Sequence, residues 1–229
     1  MKGVAVIVGV GVGIGGEVAK KFAREGYKVA IIARNKTYKG ADKLSPLKRE
    51  IELTGGTVFA VPCDATKPDQ VSRAFASIRN NLGLISVLVY NAGARKLSGE
   101  TVLETSIDQF IEFWKVNCLG AFLTAREALP DMLTAGKGTI ILTGATGSLR
   151  GSAGLSSFSV GKFGLRALAQ TLQREYSKLG VHVAHVIVDA AVDIPIIRKA
   201  VKGDIERLAS PKEIAKEYWH LHQQHKSAW

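Results

Sequence analysis

The sequence predicts an α/β fold of three layers, α/β/α, in which a doubly wound parallel sheet lies between helices. Short apolar runs recur along the 229 residues, and each suits a strand that is buried on both faces. Segments with apolar residues at helical spacing separate these runs. A glycine-rich turn directly follows the first run. We therefore expect a single domain over residues 1–229.

The predicted strands are mostly apolar rather than alternating, which is typical of a parallel sheet covered on both faces. Strands and helices take turns along the chain, and this order indicates two successive βαβαβ halves. The strands are expected at Val4–Val8, Lys28–Ala33, Thr57–Val61, Ile85–Tyr90, Thr139–Thr143 and Val181–Val188.

Apolar residues at helical spacing predict the elements between the strands. Ile14, Val18 and Phe22 indicate the first helix, and Gly26 ends it. Further helices are expected at Val71–Leu82, Ile107–Leu133 and Phe163–Leu179.

Three segments show neither pattern and are predicted to be irregular loops. Each follows a strand, at the carboxyl edge of the sheet, where folds of this class bind ligands. The loops are Arg34–Pro46, Ala145–Ser157 and Asp189–Pro211. Leu, Ile and Val occur in the last two, which favours a substrate with an apolar part.

The composition suits a folded chain with a substantial core and an excess of positive charge. Apolar residues make up 46%, and the net charge is +11. Lys and Arg are scattered without a stripe interleaved with aromatics, so we expect no nucleic-acid partner. A solvated surface explains most of the charge, and attraction of a phosphorylated cofactor or an anionic substrate is the alternative. No run of 18 apolar residues occurs, which predicts no membrane-spanning helix.

Cysteine and histidine usage gives weaker indications. Cys63 and Cys118, in a sequence without a signal peptide, favour a reducing, cytoplasmic setting. A solvated C-terminal helix explains His220, His222 and His225 better than a metal site does, because no cysteine or acid cluster accompanies them. The remaining histidines, His182 and His185, are interpreted as ordinary strand residues.

The glycine-rich turn fits two dinucleotide-binding registers. Gly11, Gly13 and Gly16 match the general GxGxxG pattern, whereas Gly9, Gly13 and Gly15 match a GxxxGxG pattern. Both patterns place a tight turn and a helix N-terminus against a pyrophosphate. We favour the second register, because Gly9 comes directly at the end of the strand.

The end of the second strand indicates which dinucleotide binds. A site for NAD places an acidic side chain there, to accept from the ribose 2′-hydroxyl. This chain has Ala33-Arg34-Asn35 instead. Arg34 is suited to a 2′-phosphate, so we expect NADP(H); a solvated loop residue is the alternative.

Four further motifs give the chain a resemblance to a known family. Asn91-Ala92-Gly93 follows the fourth strand, Asp64 follows the third, and Asn117 and Lys162 lie in later helices. In this order and spacing they resemble the short-chain dehydrogenase/reductase family, classical type, from residue 4 to about residue 195. The resemblance implies a Rossmann-type fold, a small-molecule carbonyl or alcohol substrate, and a homodimer or homotetramer paired through the helices around Ile107–Leu133 and after Lys162.

The resemblance also implies which residues bind the cofactor and which form the catalytic site. Asn117 and Lys162 match the family's catalytic asparagine and lysine, and Phe158 occupies the position of its tyrosine. The implied cofactor contacts are Gly9, Gly13, Ile14, Gly15, Arg34, Asp64, Ala65, Asn91, Ala92, Gly93, Lys162 and Val192.

Several positions depart from the family pattern. Phe158 has no hydroxyl, and Ala145 stands where the family's serine is expected. Asp189-Ala190 replaces the Pro-Gly after the sixth strand, and Ile194 replaces a threonine. The sequence ends at Trp229, about where a seventh strand would begin, so either the sheet lacks this edge strand or the sequence is truncated.

Two functions therefore remain open. One is an oxidoreductase whose proton comes from a water or from the hydroxyl of Thr146, Ser157 or Ser159. The other is an NADP(H)-binding sensor, scaffold or partner subunit without turnover.

Overall fold

The computed structural model describes residues 2–34, 42, 44–94, 99–201 and 205–229. Its strands are β1 (Val4–Val8), β2 (Lys28–Ala33), β3 (Val58–Pro62), β4 (Ile85–Tyr90), β5 (Gly138–Ala145) and β6 (Val181–Val188). Its α-helices are α1 (Ile14–Arg24), α2 (Leu44–Leu53), α3 (Pro68–Leu82), α4 (Ile107–Trp114), α5 (Gly120–Thr134), α6 (Ser156–Tyr176), α7 (Pro195–Ala200) and α8 (Pro211–Gln223).

The six described strands form one parallel sheet in the order β3-β2-β1-β4-β5-β6. This order confirms the predicted doubly wound, Rossmann-type sheet. The chain leaves β1 in one direction and returns beside it as β4, so the strand order reverses between these two strands. A crevice opens at the carboxyl ends of strands at such a switch point, and ligands bind there.

Helices cover both faces of the sheet. One core cluster packs α3, α5 and α6 against one face, with Phe75, Met132 and Leu165 at its centre. The other packs α1, α2 and α8 against the opposite face, around Phe22 and Tyr218. Both faces of β1 and β4 are therefore buried, as their apolar sequences require.

Most predicted elements are confirmed, and the errors lie at the boundaries of strands and helices. The third strand is shifted by one residue, to Val58–Pro62, and the fifth extends beyond its predicted bounds at both ends, to Gly138–Ala145. The predicted long helix Ile107–Leu133 is interrupted by a π-helical turn at Lys115–Leu119. The helix predicted at Phe163–Leu179 begins seven residues earlier, at Ser156, because Ser157 and Phe158 pack inside the protein despite the loop-like Gly and Ser content before them.

The predicted loops contain short helices. α2 begins within the first loop, whose residues 35–41 and 43 lie outside the described residues. A 3₁₀ turn at Thr146–Ser148 lies in the second, and α7 lies in the third.

The prediction of solvated C-terminal histidines is wrong for His222. Its ring lies among Phe22, Tyr27 and Trp219, at 5.3 to 5.4 Å between centroids. Its Nε2 and Nδ1 atoms lie 2.6 Å from Tyr27 Oη and 2.9 Å from Thr139 Oγ1. These contacts pack α8 against α1 and β5. Along the described ranges, none of the helices has the length and apolarity needed to cross a membrane.

Candidate cofactor cleft and active centre

The turn after β1 and the turn after β4 touch backbone to backbone. A Cβ atom at Gly9 would lie 2.3 Å from the Ala92 nitrogen, and Gly9 has a φ of +89°. Only glycine fits such a position. The Asn91 side chain joins the two turns, because its Nδ2 donates to the Gly9 carbonyl at 2.9 Å. This contact forms the floor of the crevice at the switch point.

Two cavities flank this contact. The first, of about 200 Å³, is lined by the ends of β1 to β4 and includes Gly9, Arg34, Asp64, Ala65 and Asn91-Ala92-Gly93. The second, of about 510 Å³, lies along the glycine turn and includes Gly13, Ile14 and Gly15. The structure thus brings nearly all the predicted cofactor residues to one edge of the sheet.

Two of the predicted cofactor residues, Lys162 and Val192, line neither of these cavities. Val192 pairs with Ala209 in an isolated bridge. Ile194 lies closer, since its Cγ2 atom would be 3.1 Å from a Cβ at Gly13. From the sequence, Ile194 was identified only as the residue that replaces a threonine of the family pattern.

Asp64 and Arg34 occupy different positions in the first cavity. The Asp64 Oδ1 atom accepts from the Thr66 backbone and hydroxyl at 3.0 and 2.8 Å, which fixes the carboxylate. Arg34 is exposed at the end of β2, where its guanidinium can reach a ligand at the cavity rim.

Lys162 is buried beside the same crevice. It is 4% exposed, and its Nζ donates to the Thr143 carbonyl at 2.8 Å. Burial lowers the pKa of its ammonium group to about 8. The Phe158 ring centroid lies 6.0 Å from Nζ.

Asn117 lies on the π turn and is fully buried. Its Nδ2 donates to the Ala94 carbonyl at 2.9 Å, and its Oδ1 accepts from the Ala94 nitrogen at 3.3 Å. A Cβ at Gly93 would lie 3.4 Å from Asn117 Oδ1 and 3.7 Å from Lys162 Nζ. The predicted asparagine and lysine therefore meet at the turn after β4.

Close approach of α6 makes this arrangement possible. A Cβ at Gly161 would lie 2.7 Å from the Asn117 Cβ atom, so a larger residue would push α6 away from the π turn. π turns inside helices occur frequently at functional sites.

Three hydroxyls were predicted as proton donors, and the structure separates them. Ser157 and Ser159 are 4% and 6% exposed, and within the described residues the Ser159 Oγ has no hydrogen-bond partner. Thr146 is only partly buried and donates to the Asp189 carboxylate across the ends of β5 and β6. It is the most accessible of the three.

Two residues near this centre were missed as site residues. Ser148 is fully buried, and its Oγ accepts from the nitrogen of Ala145 at 3.2 Å. His185 lies beneath it, since a Cβ at Gly144 would contact both His185 Nε2 and Ser148 Oγ. Burial, and then the charges of Lys162 and Arg166, lower the pKa of His185 to about 4, so its ring is neutral. No group of three metal-ligating side chains occurs in the described part of the chain.

The chain is similar to known proteins over most of its length. A model of the family described as short chain dehydrogenase matches residues 3–199. The chain is 32% identical over 183 residues to a 3-oxoacyl-acyl-carrier-protein reductase of Bos taurus, which covers 80% of this chain and 73% of that protein.

Solved structures extend the similarity to the whole chain. A short-chain dehydrogenase from Rhodopseudomonas palustris is 37% identical with a TM-score of 0.82, covering 99% of this chain and 94% of that one. An actinorhodin polyketide ketoreductase with NADPH has a TM-score of 0.88 at 24% identity, covering 100% and 93%. The second likeness bears on the fold alone.

The buried ammonium of Lys162 predicts a stability difference that depends on pH. Its pKa is about 8 in the folded chain against 10.5 for an ordinary lysine, so burial of the charge costs most below pH 8 and nothing above pH 10.5. We expect the free energy of unfolding of Lys162→Met, relative to the parent, to fall by about 3 kcal/mol as the pH rises through this interval.

Denaturant unfolding across this pH range measures the effect. Lys199→Met is the matched control, because Lys199 is exposed on α7. If the free energies of unfolding of the two variants show the same pH dependence, the pKa of Lys162 is not lowered in the folded chain.

Proposed function

The chain belongs to the short-chain dehydrogenase family, and on that premise we propose that it is an NADP(H)-dependent oxidoreductase acting on a small carbonyl or alcohol substrate. Its relatives are oxidoreductases that use nicotinamide cofactors. The observation that carries the proposal is the convergence of Gly9, Asn91, Asn117 and Lys162 at one crevice. We also propose a cytoplasmic location, which the two free cysteines, Cys63 and Cys118, support.

The residues at the crevice fit a dinucleotide. A Cβ at Gly11 would meet no atom within 4 Å, so the backbone of the glycine turn is open there to close approach by a pyrophosphate. The N-terminus of α1 would receive the phosphates, Asp64 the adenine and Arg34 the 2′-phosphate. Lys162 would bind the nicotinamide ribose. The cofactor, when bound, supplies or accepts the hydride.

Proton transfer is assigned to Thr146. Phe158 and Ala145 carry no exchangeable side-chain proton, and Thr146 is the accessible hydroxyl at the end of β5. Its hydrogen bond to Asp189 links it to a carboxylate that is 53% exposed to solvent. Oriented hydrogen bonds of this kind assist proton transfer between a substrate oxygen and solvent.

A cofactor-binding protein without turnover is the second candidate. The absence of a hydroxyl at Phe158 and at Ala145 favours it, because the residues that would hold the cofactor are present while two that would act on the substrate are replaced. A panel assay for NADPH consumption with carbonyl compounds, run beside Lys162→Ala, separates the two candidates.

The exposed apolar faces of α4 and α6 support the proposal of a homodimer or homotetramer. Ile107, Phe110 and Trp114 on α4 are 79%, 37% and 39% exposed, and Val160 and Phe163 on α6 are 46% and 43% exposed. The two helices pack side by side, so these residues can form one apolar surface. Contiguous exposed apolar patches of this kind mark protein interfaces.

The first prediction from the proposed function concerns the choice between NADPH and NADH. We expect NADPH to bind at least about tenfold more tightly than NADH, since one charge-assisted contact to the 2′-phosphate is worth about 1.5–3 kcal/mol. Arg34→Asp should reverse the preference, because it repels the phosphate and can accept from the 2′-hydroxyl. Fluorescence titration measures both affinities. The control Arg174→Asp reverses an exposed charge on α6 and should leave the preference unchanged. Equal affinities of the parent for both cofactors would refute the role of Arg34.

The second prediction restores the missing hydroxyls. Phe158→Tyr should raise carbonyl reduction by about tenfold or more, which is the lower range of acid–base catalysis, and Ala145→Ser added to it should raise the rate further. The new phenol would lie near Lys162, whose charge favours the phenolate. Steady-state assays with NADPH measure the gain. The control is Phe113→Tyr, which makes the same change on α4, the helix that packs against α6.

The double variant also tests the second candidate function. If it binds NADPH as the parent does and reduces no carbonyl compound, the pocket does not support redox chemistry, and the non-catalytic function becomes the better proposal.

The third prediction concerns the oligomer. We expect the parent to have at least twice the monomer mass by light scattering at micromolar concentration, and the variant Phe110→Glu with Trp114→Glu to be monomeric. Two charges buried in an apolar interface would each lack a partner. Ile196→Glu, on the exposed side of α7, should leave the mass unchanged. A monomeric parent would contradict this proposal.

A further inference from the structure

A cavity of about 430 Å³ lies at the end of the sheet opposite the cofactor crevice. Its lining includes Lys2, which precedes β1, Tyr27, which precedes β2, Thr139 at the start of β5, and Gly180, which precedes β6. Strands rise about 3.3 Å per residue, so the length of β1 alone separates this cavity from the crevice by roughly 17 Å. It is therefore a separate site.

The charged side chains that line this cavity are all of one sign. They belong to Lys2, Lys137 and Lys226, and none of the lining side chains is acidic. The ion pairs that the structure shows in the described part of the chain include none of these three lysines. A concave surface with charges of one sign focuses the electrostatic potential and attracts ions of the opposite sign.

Aromatic rings hold two of the ammonium groups at the rim. The Lys2 Nζ lies 5.0 Å from the Trp219 ring centroid and 5.9 Å from that of Tyr27. The Lys226 Nζ lies 5.9 Å from the centroid of Trp229, which is itself a lining residue. Cation–π contacts reduce the freedom of these side chains, so less entropy is lost when an anion orders them.

His222 forms a neutral, fixed part of the wall. Its contacts to Tyr27 and Thr139 occupy both ring nitrogens. Burial, followed by the nearby charges of Lys137, His182 and Lys2, lowers its pKa to about 4. The positive potential therefore comes from the lysines, whose ammonium groups make no hydrogen bond or ion pair that the structure shows among the described residues.

We propose that this cavity binds a small organic polyanion that carries at least two phosphate or carboxylate groups. Its volume lies within the range of about 300–1,000 Å³ that is usual for small-molecule sites. The three ammonium groups supply donors for two or more anionic groups, and the Tyr27 and Trp229 rings supply apolar surface for the carbon frame of the ligand. This site is independent of the proposed redox function.

Isothermal titration calorimetry with inorganic pyrophosphate and with citrate tests the proposal on the intact chain. At an ionic strength of about 0.15 M, where non-specific surface attraction is largely screened, we expect saturable one-site binding with a Kd below about 1 mM. Tighter binding of pyrophosphate would identify phosphate groups as the preferred chemistry, and tighter binding of citrate would identify carboxylates. The titration is repeated with saturating NADPH, and the affinity should be unchanged.

Paired variants locate the site. Lys137→Glu with Lys226→Glu should weaken binding by about tenfold or more, which corresponds to about 1.4 kcal/mol. Lys199→Glu with Lys212→Glu makes the same charge change at exposed residues outside this cavity and should change the Kd by less than about twofold.

Three results would each overturn the proposal: no saturable binding of either probe, equal weakening by the two double variants, or competition by NADPH that is unchanged in the variant Lys137→Glu with Lys226→Glu. Equal weakening would show that the net charge of +11 attracts the probes without a site. Unchanged competition would show that the probes enter the cofactor crevice.

Discussion

The contact between the turns after β1 and β4 is the constraint on which the site depends. Gly9 and Ala92 approach so closely that no side chain fits between them, and Asn91 fixes the pair by donating to the Gly9 carbonyl. Because β1 and β4 are neighbours at the switch point, this contact closes the floor of the crevice. Gly93 then extends the same turn towards Asn117 and Lys162, so one strand end positions residues of both the proposed cofactor region and the proposed active centre.

The sheet could be predicted from sequence because its signal is local. Strands buried on both faces must be apolar along their whole length, and four of the six predicted strands have the observed bounds. The start of α6 and the π turn could not be predicted in this way. Ser156 and Ser157 have weak helix propensity, and the helix forms there because Phe158 packs on Gly147. The π turn at Asn117 depends on how closely α6 approaches through Gly161, and helical periodicity carries no information about that distance.

The residues of the candidate site also form two groups: those that local sequence predicts and those that depend on tertiary packing. Residues held by backbone turns, such as Gly9, Asp64 and Asn91, follow strands directly, and the sequence pattern places them at the crevice. The hydrogen bond between Thr146 and Asp189 joins the ends of two strands that are far apart in sequence. No pattern in either segment predicts this contact. His185 could have been assigned to the α6 face by the period of two along β6, which it shares with Val181 and Val183. Only the structure shows that His185 and Ser148 both lie beside Gly144.

Lys162 links these observations to function. A buried ammonium whose described partner is one backbone carbonyl opposes folding, and a methionine would fill the same space at lower cost. Residues that reduce stability are expected at functional sites, where binding compensates for them. The Thr143 carbonyl that accepts from Lys162 belongs to a residue whose hydroxyl lies 2.8 Å from Tyr218 Oη, so the interior of α8 supports the lysine through β5. With a phenylalanine at residue 158 the lysine has no phenol to activate, and the role that we propose for it is to bind the ribose of the cofactor. Both candidate functions need that role, whereas only an oxidoreductase needs the proton route that we propose through Thr146 and Asp189.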